Sequence, residues 1–316
     1  MPVLKYRPSV GAPWQVVGVT SNGFCPQIVV STLADSTVTA RMGAIEVSEV
    51  TDTNGFATID IPKFGDWELE FMIEGVPLTQ SITVDTVKLY NAGTNTSLAE
   101  STWDFIAHAS ESGVANKLWS VGDKKIIKVG TTDYEAQIIG FNHDIITGGG
   151  TAGITFQLVN CLSSAYKMHS DKSLAAGRSW ATCNMRTSTL PTILNTMESD
   201  LTSVIKTVDK KSFATTGQNA GLSVVTTSDK LFLPSYIEIY GTDINSGYNE
   251  GTKYQYYTTN SAVKTIGAGS TAKWWTRSHC SPTNTSATYQ VVYENGVATG
   301  QYVDTDSIYI SPCFCV

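Results

Sequence analysis

Between Trp67 and Ile73 the chain reads Trp-Glu-Leu-Glu-Phe-Met-Ile. Side chains on a strand alternate between its two faces, so Trp67, Leu69, Phe71 and Ile73 share one face while Glu68 and Glu70 share the other. Shorter segments of the same kind surround it: Gln27–Val30, Ser36–Ala40, Ala44–Val47, Phe56–Ile61 and Ser81–Asp85. Asn54-Gly55 marks a turn between two of them, because both residues tolerate positive φ. Six or seven short strands in about 75 residues, separated by turn signals, predict an all-β sandwich over residues 15–90.

The 316 residues suffice for two domains, each with its own core. Pro2, Pro8 and Pro13 interrupt any regular element, so residues 1–14 are expected as an extended arm. The polar run Tyr90–Ser97 places a linker at 91–100 and opens a second domain over 101–316. Ser101-Thr102-Trp103-Asp104 reads as the start of a short helix, with Trp103 and Ile106 facing inward. Lys125–Val129 and Glu135–Ile139 read as a hairpin around Gly130–Asp133, and Ile154–Val159 as a further strand. Leu190, Ile193, Leu194 and Met197 fall at helical spacing with Pro191 in the first turn, and a second short helix carries Leu201, Val204 and Ile205. Tyr289–Tyr293 and the strand after Glu294-Asn295-Gly296 form a β-ribbon, and the apolar stretch Ser311–Val316 is expected to be pinned in the fold. The second domain is therefore α+β.

One pair stands out in it. Trp274 and Trp275 are adjacent, so on a strand they point to opposite faces, one anchoring a core and the other lying near a surface.

Charged residues make up only 16% of the chain, the net charge is −7 and no basic stripe is present, which argues against a nucleic-acid partner. The six cysteines include no Cys-x-x-Cys and only four histidines accompany them, so neither a metal site nor a cofactor is expected. Their spacing is not that of a small secreted scaffold, and they read as reduced thiols made in a cytoplasm. No stretch approaches the length of a membrane span, and Met1–Pro8 lacks the apolar core of a signal peptide.

Residues 100–316 resemble a family of uncharacterised domains found in phages and Gram-positive bacteria. The resemblance rests on Leu118–Asp123, Gly140–Asp144, Trp180 with Met185-Arg186, Asp229–Ser235 and Trp274–Ser278, in that order. It implies a variant of the C-type lectin fold, with Trp119, Trp180, Arg186, Trp274, Trp275 and Arg277 as framework anchors. Such arginines pair with buried carboxylates or carbonyls, and Asp144 and Asp229 are the partners to expect. Members of the family often end near an Arg-Pro pair, whereas this chain has Ile310-Ser311-Pro312 there. Residues 15–90 are similar to the immunoglobulin-like or prealbumin-like β-domains attached to phage tail and fibre proteins, through Asp52–Ala57, Phe64–Trp67 and Thr83–Asp85. The antibody spacing of Cys, Trp and Cys is missing.

Chemistry is sparse. His143-Asp144 is the most enzyme-like pair, but neighbours on a strand face opposite ways, and the plainer reading is a backbone-bonded histidine beside a turn-capping aspartate. There is no Gly-x-Ser-x-Gly elbow and no P-loop. A glycan hydrolase would need two carboxylates about 5–10 Å apart, for which Asp243 and Glu250 are the candidates, without a motif. Tyr248, Asn249, Tyr254, Tyr256, Tyr257 and Asn284 are the ligand-binding candidates, since adhesive and saccharide-binding loops favour aromatic faces with neutral hydrogen-bonders. The resemblance implies a non-enzymatic structural protein of a tailed-phage virion. It would be made in the bacterial host cytoplasm, released by lysis and oligomeric in the particle. At the tail tip or fibre it would contact other virion proteins and recognise a host cell-surface glycan or protein. The alternative is a capsid or tail-tube decoration protein, and a glycan hydrolase ranks third.

Overall fold

A computed structural model of the protein describes residues 5–6, 15–16, 27–73, 75–85, 89–93, 97–173, 179–214, 223–242, 249–267, 269–280 and 287–316. Contacts divide the chain into two units, Met1–Trp119 and Ser120–Val316, both rich in β-structure.

In the first unit β1 (Lys5–Tyr6) pairs antiparallel with β2 (Gln15–Val16). The arm expected over 1–14 thus contains a short strand, and the rest of it lies outside the described residues. Seven strands follow: β3 (Gln27–Ser31), β4 (Thr37–Met42), β5 (Ile45–Val50), β6 (Phe56–Asp60), β7 (Gly65–Ile73), β8 (Val76–Val84) and β9 (Leu89–Gly93). They form two sheets, β6-β3-β9 and β5-β4-β7-β8, with β9 parallel to β3. Ile28, Val30, Val38, Ala40, Ile59 and the β7 residues Trp67, Leu69 and Phe71 fill the space between the sheets. The alternation seen in the sequence of β7 is the alternation of its burial, and the Trp67 indole donates to Lys63 O at 3.0 Å. Gly55 has φ +81°, and a Cβ there would meet Thr32 O at 2.0 Å, so the turn requires glycine.

The sandwich is present, but its strand order is not that of an antibody-type domain. Lettered in sequence from β3, the sheets read D-A-G and C-B-E-F. An immunoglobulin domain pairs A-B-E-D against C-F-G. The difference arises at Thr32–Ser36, where the chain crosses to the opposite sheet straight after β3 instead of turning back beside it.

Two expected boundaries also move. Residues 91–93, assigned to a linker, belong to β9 and pair with Val29–Ser31. The helices α1 (Trp103–Glu111) and α2 (Ala115–Leu118), expected to open the second domain, belong to the first. The Thr102 hydroxyl caps α1 by accepting from Phe105 N, and Trp103 and Ile106 are buried as expected. Phe105 meets Phe71 and Trp119 edge-on, with ring centroids 6.4 and 6.1 Å apart.

The second unit begins with the expected hairpin, β10 (Lys124–Val129) and β11 (Thr132–Phe141). β12 (Ile154–Leu158) continues the sheet, and the short helices α3 (Leu190–Leu194) and α4 (Ser199–Val204) follow. The hairpin β13 (Val208–Ala214) and β14 (Ser223–Asp229) leads to β15 (Leu231–Phe232) and α5 (Tyr236–Tyr240). The hairpin β16 (Lys264–Ile266) and β17 (Ser270–Ala272) precedes a three-stranded sheet of β18 (Trp274–His279), β19 (Thr288–Val292) and β20 (Ala298–Tyr302). β21 (Cys313–Cys315) inserts between β12 and β15, completing the order β10-β11-β12-β21-β15 and pinning the apolar end as expected.

β18 corrects the reading of the tryptophan pair. Trp274 and Trp275 do point to opposite faces, yet both are fully buried, because β18 is covered on both sides. The Trp274 indole donates to Ala262 O and the Trp275 indole to Tyr166 O, while β13 and α5 pack on the strand. Among the described residues no helix is long and apolar enough to cross a membrane.

Candidate functional site

The second unit encloses charge. Lys210 on β13 is buried, and its ammonium donates to Asp144 Oδ1 at 2.5 Å, Glu238 Oε1 at 2.7 Å and the Tyr254 hydroxyl at 3.2 Å. It also lies 4.2 Å from the centroid of the Phe232 ring. Arg277 on β18 holds Glu238 in a two-pronged pair at 2.5 and 2.7 Å. The rest of its guanidinium donates to Leu233 O, Lys211 O and Glu250 O. Glu238 is placed by a capping box at the start of α5: Ser235 Oγ accepts from Glu238 N, and Glu238 Oε2 accepts from Ser235 N.

Asp144 follows β11 and is reached from several elements. Thr155 Oγ1 on β12 donates to its Oδ2 at 2.6 Å, and the Tyr254 hydroxyl approaches both oxygens at 3.2 and 3.1 Å. Glu250 accepts from Phe213 N at 2.8 Å and from the Ser278 hydroxyl.

Two cations and two firm anions therefore balance in the buried interior, with Glu250 as a fifth group. Burial pushes the Asp144 carboxyl upward, but the Lys210 charge beside it prevails and holds it well below the usual carboxylate range. Burial likewise works against charge on Glu238, where Arg277 and Lys210 prevail and lower it. Burial also disfavours the Lys210 ammonium, yet Asp144 and Glu238 raise it. Glu250 lacks so close a cation, and burial pushes it up to about 7.

The tyrosine-rich segment stands on this cluster. Tyr254 and Tyr257, expected to face a ligand, are buried at 0% and 4% exposure. Tyr254 reaches the Lys210–Asp144 pair, and the Tyr257 hydroxyl donates to Gln157 Oε1 on β12 at 2.5 Å. A 3₁₀ turn, Gln255–Thr258, has one side packed on the unit and the other open, which is why neighbouring tyrosines have opposite fates. Tyr256 is half-buried, while Asn249, Gln255, Thr258, Thr259 and Asn260 are exposed. Asn260 donates to Tyr256 O at 2.9 Å, and Gln255 Oε1 accepts from Phe141 N at 2.9 Å, which fastens this surface to β11. Tyr248, Asn284 and Asp243 lie outside the described residues.

Of the framework anchors, Arg186 bonds Asp229 at 2.6 Å as expected, and the Trp180 indole donates to the same carboxylate at 3.0 Å. Arg277 takes Glu238 rather than Asp144, because Asp144 is already held by Lys210. Trp119 is a core residue of the first unit, not of the second. His143 bonds the carbonyl of Thr252 at 2.9 Å, in line with the plainer reading, but the pair lies past the end of β11 and does not face opposite ways: His143 Nδ1 is 3.4 Å from Asp144 Oδ2, and Asp144 is an ion-pair partner and not a turn cap. Glu250, a candidate hydrolytic carboxylate, is buried with both oxygens bonded. The sequence reading missed Lys210 and Glu238. Ser235-Tyr236-Ile237-Glu238 carries the capping-box spacing that would have exposed the latter.

Among the described residues no group of three or more His, Cys, Asp or Glu is arranged to hold a metal ion. The fold and its interior thus define a β-rich protein of two units, whose second unit pairs its buried charges with one another and presents amides and hydroxyls along Asn249–Asn260. Residues 155–316 match the family described as a domain of unknown function (DUF6273), and this half of the chain places the protein in that family. Neither the curated proteins nor the solved structures compared with the chain yield a match.

Proposed function

We propose that the protein is a structural component of a tailed-phage virion, positioned at the tail tip or fibre. Its second unit, a lectin-like frame, would recognise a host cell-surface glycan through the Asn249–Asn260 surface. The observation that carries this reading is the split within that segment. Tyr254 and Tyr257 are driven into the unit as pegs, and Asn249, Gln255, Tyr256, Thr258, Thr259 and Asn260 remain on the outside. An aromatic edge among neutral hydrogen-bonders on a rigid footing suits a saccharide, which offers hydroxyls and weakly apolar ring faces but no charge. The cluster beneath is consumed in holding the frame, which favours binding over chemistry. The five described cysteines are free, in keeping with synthesis in a bacterial cytoplasm. Of the two resemblances of the first unit, the prealbumin-like one is preferred, since the antibody-type strand order is not followed.

The test is competition. Purified full-length protein is expected to block adsorption of the phage to its host, and Tyr256→Ala combined with Asn260→Ala to weaken the block at least tenfold. Both positions lie on the outer side of the turn, Asn260 exposed and Tyr256 half-buried, so the fold should survive. An unchanged block would overturn the assignment of this surface, and many copies along a shell or tube in a particle reconstruction would replace the tip by a decoration role.

A further inference from the structure

We infer that Lys210 and Asp144 condense into an intramolecular isopeptide bond, with Glu238 as the catalytic residue that carries the proton. The reacting groups already touch, with Lys210 Nζ 2.5 Å from Asp144 Oδ1. A second carboxylate, Glu238 Oε1, lies 2.7 Å from the same nitrogen. Phe232 and Tyr254 wall the site with aromatic rings, and Lys210, Asp144, Glu238 and Tyr254 are all buried.

The chemistry balances without an added reagent. One proton passes from the Lys210 ammonium to the Asp144 carboxylate, leaving an amine and an acid. The amine lone pair attacks Asp144 Cγ. Thr155 Oγ1 at 2.6 Å and the Tyr254 hydroxyl at 3.1 Å donate to Oδ2 and stabilise the charge that develops there. Glu238 takes the second proton from Nζ and delivers it to the departing hydroxyl. The C–O bond breaks, a C–N bond has formed, one water leaves, and Glu238 is restored.

Two physical effects favour this step here over the same step in water. Fixed contact is equivalent to an effective concentration on the order of 10⁵–10⁸ M. Condensation also removes two opposite charges from the buried interior, where each carries a desolvation penalty, and leaves the net charge unchanged. What remains is simpler: Glu238 keeps its two-pronged pair with Arg277, and the new amide N–H still points at Glu238 Oε1. The bond would join the segment after β11 to β13, 66 residues apart in sequence.

Intact-mass spectrometry of the denatured full-length protein reads the bond directly. The expected mass is one water below that of the sequence, and digestion should leave a branched peptide joining the Asp144 and Lys210 segments. Asp144→Asn should reach the same linked mass by losing ammonia. Lys210→Arg should keep its full mass, which separates the isopeptide from cyclisation of an aspartate onto its own backbone. Glu238→Gln should link at least tenfold more slowly. A folded wild-type protein that retains its full sequence mass on prolonged incubation would overturn the inference, and so would a water loss that persists in Lys210→Arg. Should a variant fail to fold, the wild-type mass and its branched peptide still decide.

Discussion

β7 in the first unit and β18 in the second treat their polar side chains in opposite ways. β7 buries Trp67, Leu69, Phe71 and Ile73 on one face. On its other face Asp66 and Glu68 are exposed, and Glu70 and Met72 are half-buried. β18 has no outward face: Thr276, Arg277, Ser278 and His279 are as buried as the two tryptophans. A strand with one wet face can leave its polar groups to water. A strand covered on both sides must supply each polar group with a partner. For three of these residues β18 does so through Gln290 O for Thr276, Glu238 for Arg277 and Glu250 for Ser278.

The contrast can be broken most severely at Arg277. Arg277→Ala leaves one buried carboxylate charge, that of Glu238, without its two-pronged cation, and should cost the second unit about 3–5 kcal/mol in urea unfolding. Hydrogen exchange should show the loss in β13, β18 and α5. Leu69→Ala, a purely apolar deletion, should cost the sandwich about 2–5 kcal/mol, and its size should follow the cavity left behind. Ser278→Ala removes a partner of Glu250 and should cost about 1–3 kcal/mol. Glu68→Ala, on the wet face of β7, should stay within about 0.5 kcal/mol. Equal costs for the Ser278 and Glu68 changes would erase the distinction between the strands.

Acidity sharpens it further. Glu250 is pushed up to about 7 in the folded protein from an ordinary value of 4.5, so the folded state holds its proton more tightly than the unfolded chain. Its contribution is therefore fully present below about 4.5 and is lost as pH rises towards 7, at no more than about 1.4 kcal/mol per pH unit. Glu250→Gln should flatten that slope in the urea midpoint of the second unit. Glu238 has the opposite sign: lowered in the fold, it loses its stabilising effect as pH falls through and below the ordinary carboxylate range, and Asp144 does the same as long as it is not condensed with Lys210. The second unit should accordingly be most stable at mildly acidic pH.

The same contrast explains what could be read from sequence. Alternation in β7, the Thr102 cap and the β10–β11 hairpin are local patterns, and each was legible. The charged interior was not, because its ion pairs join residues 28 to 66 positions apart and a lysine between Asp209 and Lys211 looks like a solvated one. The tyrosines misled for a related reason. Composition marks Tyr254–Tyr257 as adhesive, but only the 3₁₀ turn decides which rings are pegs and which are displayed.

β21 has a kinetic consequence. Its cysteine Cys315 packs against Thr155 from 160 positions away, and the five-stranded sheet is not continuous until that strand arrives between β12 and β15. In the sandwich β4–β5 and β7–β8 are hairpins of neighbouring strands, and its most distant pairing, β3 with β9, joins Gln27 to Leu89, much closer in sequence than Thr155 is to Cys315. Rates fall as contacts become more distant in sequence. The sandwich should therefore fold first, while β12 and β15 wait with bare edges that invite pairing with other chains. Crowded synthesis would expose the second unit, not the first, to misassembly.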